Sequence, residues 1–163
     1  MSKASAALIA RLESKFAGVF ALSASLGDDV IVTVDPSRWI EAAKWLSTEG
    51  GFGFLSNLSA VDWLTREPRF EIVYNLTNFS LPQRLMVKLP VDGNPPSCPS
   101  VTAIWPTANF HEREAFDMFG IVFDGHPNLE RILMPDEWEG HPLRKDYAIG
   151  KVPIEFKHLS PGV

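Results

Sequence analysis

The sequence predicts an α+β domain of two layers, a mixed or mainly antiparallel sheet with helices packed on it, followed by an extended C-terminal arm. Three observations carry this expectation. Two stretches alternate apolar and polar residues on either side of a turn, as β-hairpins do. Two others repeat apolar residues at helical spacing. From Gly125 onward, turns and charges replace both periodicities. Residues 1–124 are therefore expected to form the domain and 125–163 a docking arm, mobile beyond about Gly125 when no partner is present. At 163 residues the chain is long enough to bury roughly 70% of its unfolded surface in one core.

The elements follow in order. Leu8, Leu12 and Phe16 recur every four residues before Gly18, the pattern of an amphipathic helix closed by a glycine. Phe20, Leu22 and Ala24 alternate, Gly27-Asp28-Asp29 turns the chain, and Val30 to Val34 is a β-branched run, which together make a hairpin. Asp35-Pro36 supplies an N-cap and a first-turn proline for a second helix, with Trp39, Ala42, Ala43 and Leu46 on one face before Gly50-Gly51. A strand is expected within Phe52 to Trp63. Arg69 to Leu76 sets Phe70, Ile72 and Tyr74 against Glu71, Val73 and Asn75, and Arg84 to Leu89 completes a second hairpin around Thr77 to Pro82. Pro90, Pro95, Pro96 and Pro99 mark a loop, after which a helix start is expected at Ser100.

Composition excludes several functions. With 45% hydrophobic and 21% charged residues, the chain has the make-up of an ordinary globular protein. A net charge of −5, a pI near 5.3 and the lack of any Lys/Arg run argue against nucleic acid or anionic lipid as a partner. Cys98 is a lone cysteine and cannot alone supply a disulfide, a Cys-rich zinc site or an iron–sulfur cluster, which fits a reducing, cytoplasm-like compartment. Lys3, Arg11, Glu13 and Lys15 interrupt the start of the chain, so neither a signal peptide nor a membrane span is expected.

Polar chemistry is densest from Asn109 to Tyr147. Asn109-Phe-His-Glu112 has the form of a capping box, with the helix expected to run to Phe119 and stop at Gly120. On it, Arg113 and Asp117 are spaced as an i, i+4 ion pair with Glu114 close by. One reading is a capped surface helix with an internal ion pair; another is a paired polar network facing a second chain, for which arginine is suited by its bidentate geometry. Gly125-His126-Pro127 and Gly140-His141-Pro142 hold their histidines in extended turns. These could ligate a metal with His111, but the HExxH spacing is absent because Ala115 stands four residues after His111. Arg144, Lys145 and Asp146 read either as a solvated cluster or as a strip that meets acidic groups on a neighbour. No G-x-S-x-G elbow, phosphate loop or G-x-G-x-x-G turn occurs, and Gly50-Gly51-Phe52-Gly53 reads as a helix end followed by a strand.

EREAFDMFGIVFDGHPNLERIL, continued by EGHPLRKDY, resembles the signature of the 30 kDa subunit family of respiratory complex I. The likeness reaches upstream through GFGFLSNLSAVDW, RFEIVYNL and SVTAIWPTANF, covering roughly residues 50–150. The resemblance implies an α+β subunit of the peripheral arm of an NADH-quinone oxidoreductase at the cytoplasmic face of a bacterial membrane. It further implies no cofactor in this chain, with FMN and iron–sulfur clusters in partner subunits and docking on the large 49 kDa-type chain that helps form the quinone cavity. Glu112, Arg113, Glu114, Asp117, His126, Arg131, His141, Arg144, Lys145 and Asp146 are then expected at partner interfaces. Sixteen residues follow Tyr147, a shorter arm than in some relatives. Related subunits of ferredoxin-dependent photosynthetic complexes or membrane-bound hydrogenases are the alternative, and a free-standing metalloenzyme using the histidine and carboxylate cluster is the third.

Overall fold

The computed structural model describes residues 3–26 and 29–148. Helix α1 (Lys3–Lys15) leads into strands β1 (Phe20–Leu26) and β2 (Asp29–Val34). A 3-10 turn (Pro36–Arg38) opens helix α2 (Trp39–Ser47), and β3 (Phe54–Asp62), β4 (Phe70–Asn78) and β5 (Gln83–Val91) follow. The short strand β6 (Ser97–Pro99), helix α3 (Ala108–Phe119) and strand β7 (Val122–Asp124) complete the elements before the arm.

Five strands form one sheet in the order β1-β2-β5-β4-β3. All neighbours are antiparallel except β2 and β5, which run parallel with Val30 to Thr33 opposite Leu85 to Lys88. The sheet is mixed and mainly antiparallel, as expected, with the hairpins supplying its antiparallel pairs. Alternation decides its faces: Phe70, Ile72, Tyr74 and Leu76 are buried on β4, while Glu71, Val73, Asn75 and Thr77 between them are partly exposed. The buried face meets Leu8 and Leu12 of α1 and Trp39, Ala42, Ala43 and Leu46 of α2 in one core. Trp39 lies at its centre, its ring 4.6 Å from Tyr74 and 6.3 Å from Trp105.

Local chemistry explains most boundaries. The Asp35 side chain accepts the Ser37 N–H at 2.9 Å, so the cap precedes the 3-10 turn instead of α2 itself. After α2, the Gly50 and Phe52 amides donate back to Trp45 O and Leu46 O, the glycine-rich helix end expected there. No helix starts at Ser100. Residues 101–107 form turns, and the third helix is the one expected to run to Phe119 and stop at Gly120, with α3 beginning at Ala108. Pro106 disfavours helical backbone at Trp105, whose indole instead turns inward and donates to Phe52 O at 3.0 Å.

The arm is not free beyond Gly125. Residues 125–148 fold back along the C-terminal end of α3 and the end of β3, held by bonds to Asp117 and Asp62. Residues 149–163 of the expected arm lie outside the described residues.

Candidate functional site

Asp117 is the hub of the arm. Fully buried on α3, its Oδ2 accepts three successive backbone N–H groups, from Ile132 (3.1 Å), Leu133 (2.8 Å) and Met134 (2.9 Å), and its Oδ1 accepts Arg131 Nη1 at 2.6 Å. Burial alone would raise its pKa, but the three amides and the guanidinium outweigh that and hold it below the usual carboxylate value. The expected Arg113–Asp117 pair does not form. Arg113 donates to Glu130 O and Arg131 O at 3.1 Å each, because the nest of amides and Arg131 already occupies the carboxylate. Arg131 continues to Trp138 O (2.9 Å) and Gly140 O (3.1 Å), fixing the loop between them.

A helix leaves its last carbonyls without partners, and here the arm supplies them. Asp117 O accepts His141 Nδ1–H at 2.9 Å, Met118 O accepts the Leu143 amide at 3.1 Å, and Phe119 O accepts Arg144 Nε. The Gly120 amide closes the last turn on Phe116 O at 2.8 Å. Arg131 and Arg144 bring positive charge to the negative end of the helix dipole. Burial, assisted by the charges of Arg144 and Arg131, lowers the His141 pKa, so the ring serves as a neutral donor. Gly120 is required twice over: its φ is +72°, and an added Cβ would lie 2.4 Å from His141 Nε2 and 2.7 Å from Arg144 Nη2.

A second carboxylate anchors the end of the arm. Arg69 forks onto both oxygens of Asp62 (2.9 and 2.7 Å) and both oxygens of Asp146 (2.9 and 2.8 Å), while Asp62 also accepts the Lys145 and Leu64 amides. The Arg69 bonds, then the amides, hold the Asp62 carboxyl far below its usual value against the effect of burial. Phe70 lies under both Arg69 and Arg144, 4.9 and 5.3 Å from its ring centre. Neither Asp62 nor Arg69 was among the expected site residues. The available signal was an aspartate at the end of β3 in step with buried Leu58, a charge on the core side of a strand.

At the other end of α3, the capping box is absent. Thr107 is the N-cap and makes no side-chain cap. Instead Glu112 is fully buried, accepting the Val101 amide at 2.8 Å and the Ser100 hydroxyl at 2.6 Å. Burial outweighs those two bonds and pushes its carboxyl up to about 7. His126 Nε2 lies 4.0 Å from Glu112 and donates to Asn109 O at 3.2 Å, while its Nδ1 accepts the Asn128 amide at 3.1 Å. Those two bonds define a neutral tautomer.

The ten expected interface residues thus divide. Glu112 and Asp117 are buried; Arg113, His126, Arg131, His141 and Arg144 are partly buried against the arm; and Glu114, Lys145 and Asp146 are exposed. Around them the arm and α3 present Ile132, Leu133, Leu143 and Phe110 to solvent, Phe110 with 64% of its surface open. A depression of about 270 Å³ beside α3 and β3 is lined by His111, Glu114, Asn57 and Leu143. Among the described residues, no group of three or more His, Cys, Asp or Glu side chains could hold a metal, and no helix is long and apolar enough to cross a membrane.

Comparison with known proteins converges on one family. The family model described as "Respiratory-chain NADH dehydrogenase, 30 Kd subunit" matches residues 32–152. The chain is 49% identical over 158 residues to the C subunit of the NADH-quinone oxidoreductase of Roseiflexus sp., covering 96% of this chain and 91% of that one. It is 44% identical over 154 residues to the corresponding C subunit of Herpetosiphon aurantiacus, with 91% and 90% covered. Among solved structures, "Nqo5 of the trypsin-resistant fragment (1-134)" superposes with a TM-score of 0.66 at 35% identity, covering 75% of this chain and 98% of that one. A chain of the archaeal membrane-bound sulfane sulfur reductase shares the fold with a TM-score of 0.79 at 24% identity, covering 94% and 95%.

Proposed function

The chain belongs to the respiratory-chain NADH dehydrogenase 30 kDa subunit family, and from that premise we propose that it is the C subunit in the peripheral arm of a proton-translocating NADH-quinone oxidoreductase. In this reading it is a cofactor-free scaffold at the cytoplasmic face of the bacterial membrane. It docks on the large 49 kDa-type quinone-site subunit and its iron–sulfur neighbours, while FMN and iron–sulfur clusters in other chains pass electrons from NADH to quinone.

One observation carries this reading: the charged signature of the chain acts on its own backbone. Asp117, Arg113, Arg131, His141 and Arg144 bond main-chain groups of the arm or of α3, and together they fix a loop that turns Ile132, Leu133 and Leu143 outward. Charges used in this way shape a surface. Glu114 and Lys145 stand at its rim, where exposed charge steers and selects a partner.

Comigration on native gels of membrane extracts tests the proposal, with staining specific for NADH as donor. The chain is expected in a large NADH-stained band. Arg144→Ala is expected to lower assembled complex and quinone reductase activity in the same proportion. Normal assembly with lost turnover would place chemistry in this chain, and a chain that stays monomeric would refute the assembly role. A large band staining only with another donor would move the chain to a ferredoxin- or hydrogenase-linked complex.

A further inference from the structure

The two outer strands of the sheet are finished differently. Along β3, α3 packs beside the strand, the Thr107 hydroxyl donates to Leu55 O at 3.1 Å, and Asp62 ends it as an inward charge. Those are the devices that keep a sheet edge from recruiting another strand. By contrast, β1 reads FALSASL, with no charge and no proline, and Ala21, Leu22, Ser23 and Ala24 are all exposed.

The side chains of β1 leave the core layer unfinished. Phe20 and Leu22 stand opposite Val34 and Val32, so they share the face that carries the core. Yet Leu22 keeps 51% of its surface open. Among the described residues no strand pairs with the outer side of β1, and such a row of donors and acceptors, beside an apolar side chain at the edge of a core, fits an extended segment with an apolar residue on its core side.

We propose that β1 accepts an extended segment of a neighbouring subunit as a sixth strand of this sheet, with an apolar side chain of that segment laid over Leu22. The proposal rests on the chain being an assembled subunit. A second copy fits less well. The register of β1 shifts between Leu22 and Ala24, so two copies paired about a two-fold axis would each bring a bulge to the shared ladder, and each carries a net charge of −5.

Thiol labelling in the intact membrane complex tests it. The lone natural cysteine, Cys98, is buried, so Leu22→Cys provides one reactive thiol. That thiol should react with a maleimide about tenfold more slowly in the assembled complex than in the isolated chain. Leu22→Lys, which places a charge on an exposed edge, should leave the melting temperature of the isolated chain unchanged while reducing its incorporation. Comigration with the complex but equal labelling in both states would overturn this proposal alone. A dimer of the isolated chain that Leu22→Lys dissociates would also overturn it, because the edge would then take its own copy. Failure to comigrate at all would overturn the assembly reading, and this proposal with it.

Discussion

Glu112→Gln should make the protein less sensitive to alkaline pH, and the size of the effect follows from where the carboxyl sits. Its folded pKa is about 7 against an ordinary 4.5, because burial penalises the anion more than Ser100 and Val101 stabilise it. The folded state therefore holds a proton that the unfolded state has released. This group's contribution is fully present below about pH 4.5, falls as pH rises through 7, and is constant beyond. Carrying a carboxyl from 4.5 to about 7 is worth on the order of 3 kcal/mol at about 1.4 kcal/mol per pH unit. Glutamine reproduces the protonated form: its oxygen can accept the Val101 amide and its NH₂ can donate to Ser100 Oγ. His141, neutral in the fold with a lowered pKa, acts in the opposite sense, since its contribution is lost as pH falls through and below 6.5. Comparing wild type with the variant at each pH cancels that term. Urea unfolding followed by tryptophan fluorescence at pH 5 and pH 8 should show Glu112→Gln gaining about 2.5 kcal/mol on wild type between the two, since the loss has already begun at pH 5. Parallel pH profiles would refute the reasoning, because Glu112 would then be no harder to ionise in the fold than in the unfolded chain.

Other perturbations address the arm. Asp117→Asn removes the charge that gathers Arg131 and three amides, and should cost about 3–5 kcal/mol with loss of hydrogen-exchange protection at Ile132, Leu133 and Met134; retained protection would contradict the hub role. Gly120→Ala puts a Cβ against His141 and Arg144 at a positive φ, and should cost at least about 1–3 kcal/mol and expose the Arg144-Lys145 bond to trypsin, measured by melting and limited proteolysis. The two carboxylates bound by Arg69 should separate in urea unfolding. Asp146→Ala, at an exposed site, should change stability by less than about 1 kcal/mol, whereas Asp62→Ala should cost several times more, leaving the Leu64 and Lys145 amides without their acceptor and Arg69 with the exposed Asp146 alone.

Periodicity made the domain legible and could not make the arm so. The alternation at Phe70, Ile72 and Tyr74 and the spacing at Trp39, Ala42, Ala43 and Leu46 report which face a local element buries, and both faces lie where the pattern placed them. Pairings between distant residues leave no such trace. The fork of Arg69 joins Asp62 to the distant Asp146, 77 residues beyond Arg69 in the chain, and the Arg113–Asp117 spacing pointed to the nearest partner when the real ones were Arg131 and the amides beyond it. Asn109 and Glu112 matched a capping box because that motif records two residue types and a spacing. Whether Glu112 turns toward solvent or into the core depends on Ser100 and Val101, twelve and eleven residues upstream.

The parallel seam between β2 and β5 has a consequence in time. β1 with β2, and β3 with β4 and β5, are each hairpin-linked groups that can form as soon as they leave the ribosome. The seam from Val30–Leu85 to Thr33–Lys88 cannot close until about fifty further residues have been made. At translation rates of about 5–20 residues per second, β2 spends seconds with its inner edge open. The nascent chain is therefore most vulnerable to mispairing before β5 arrives, and substitutions that weaken Leu85, Val87 or Leu89 should slow closure of the seam once β5 is present and reduce soluble yield more than their cost to the finished fold.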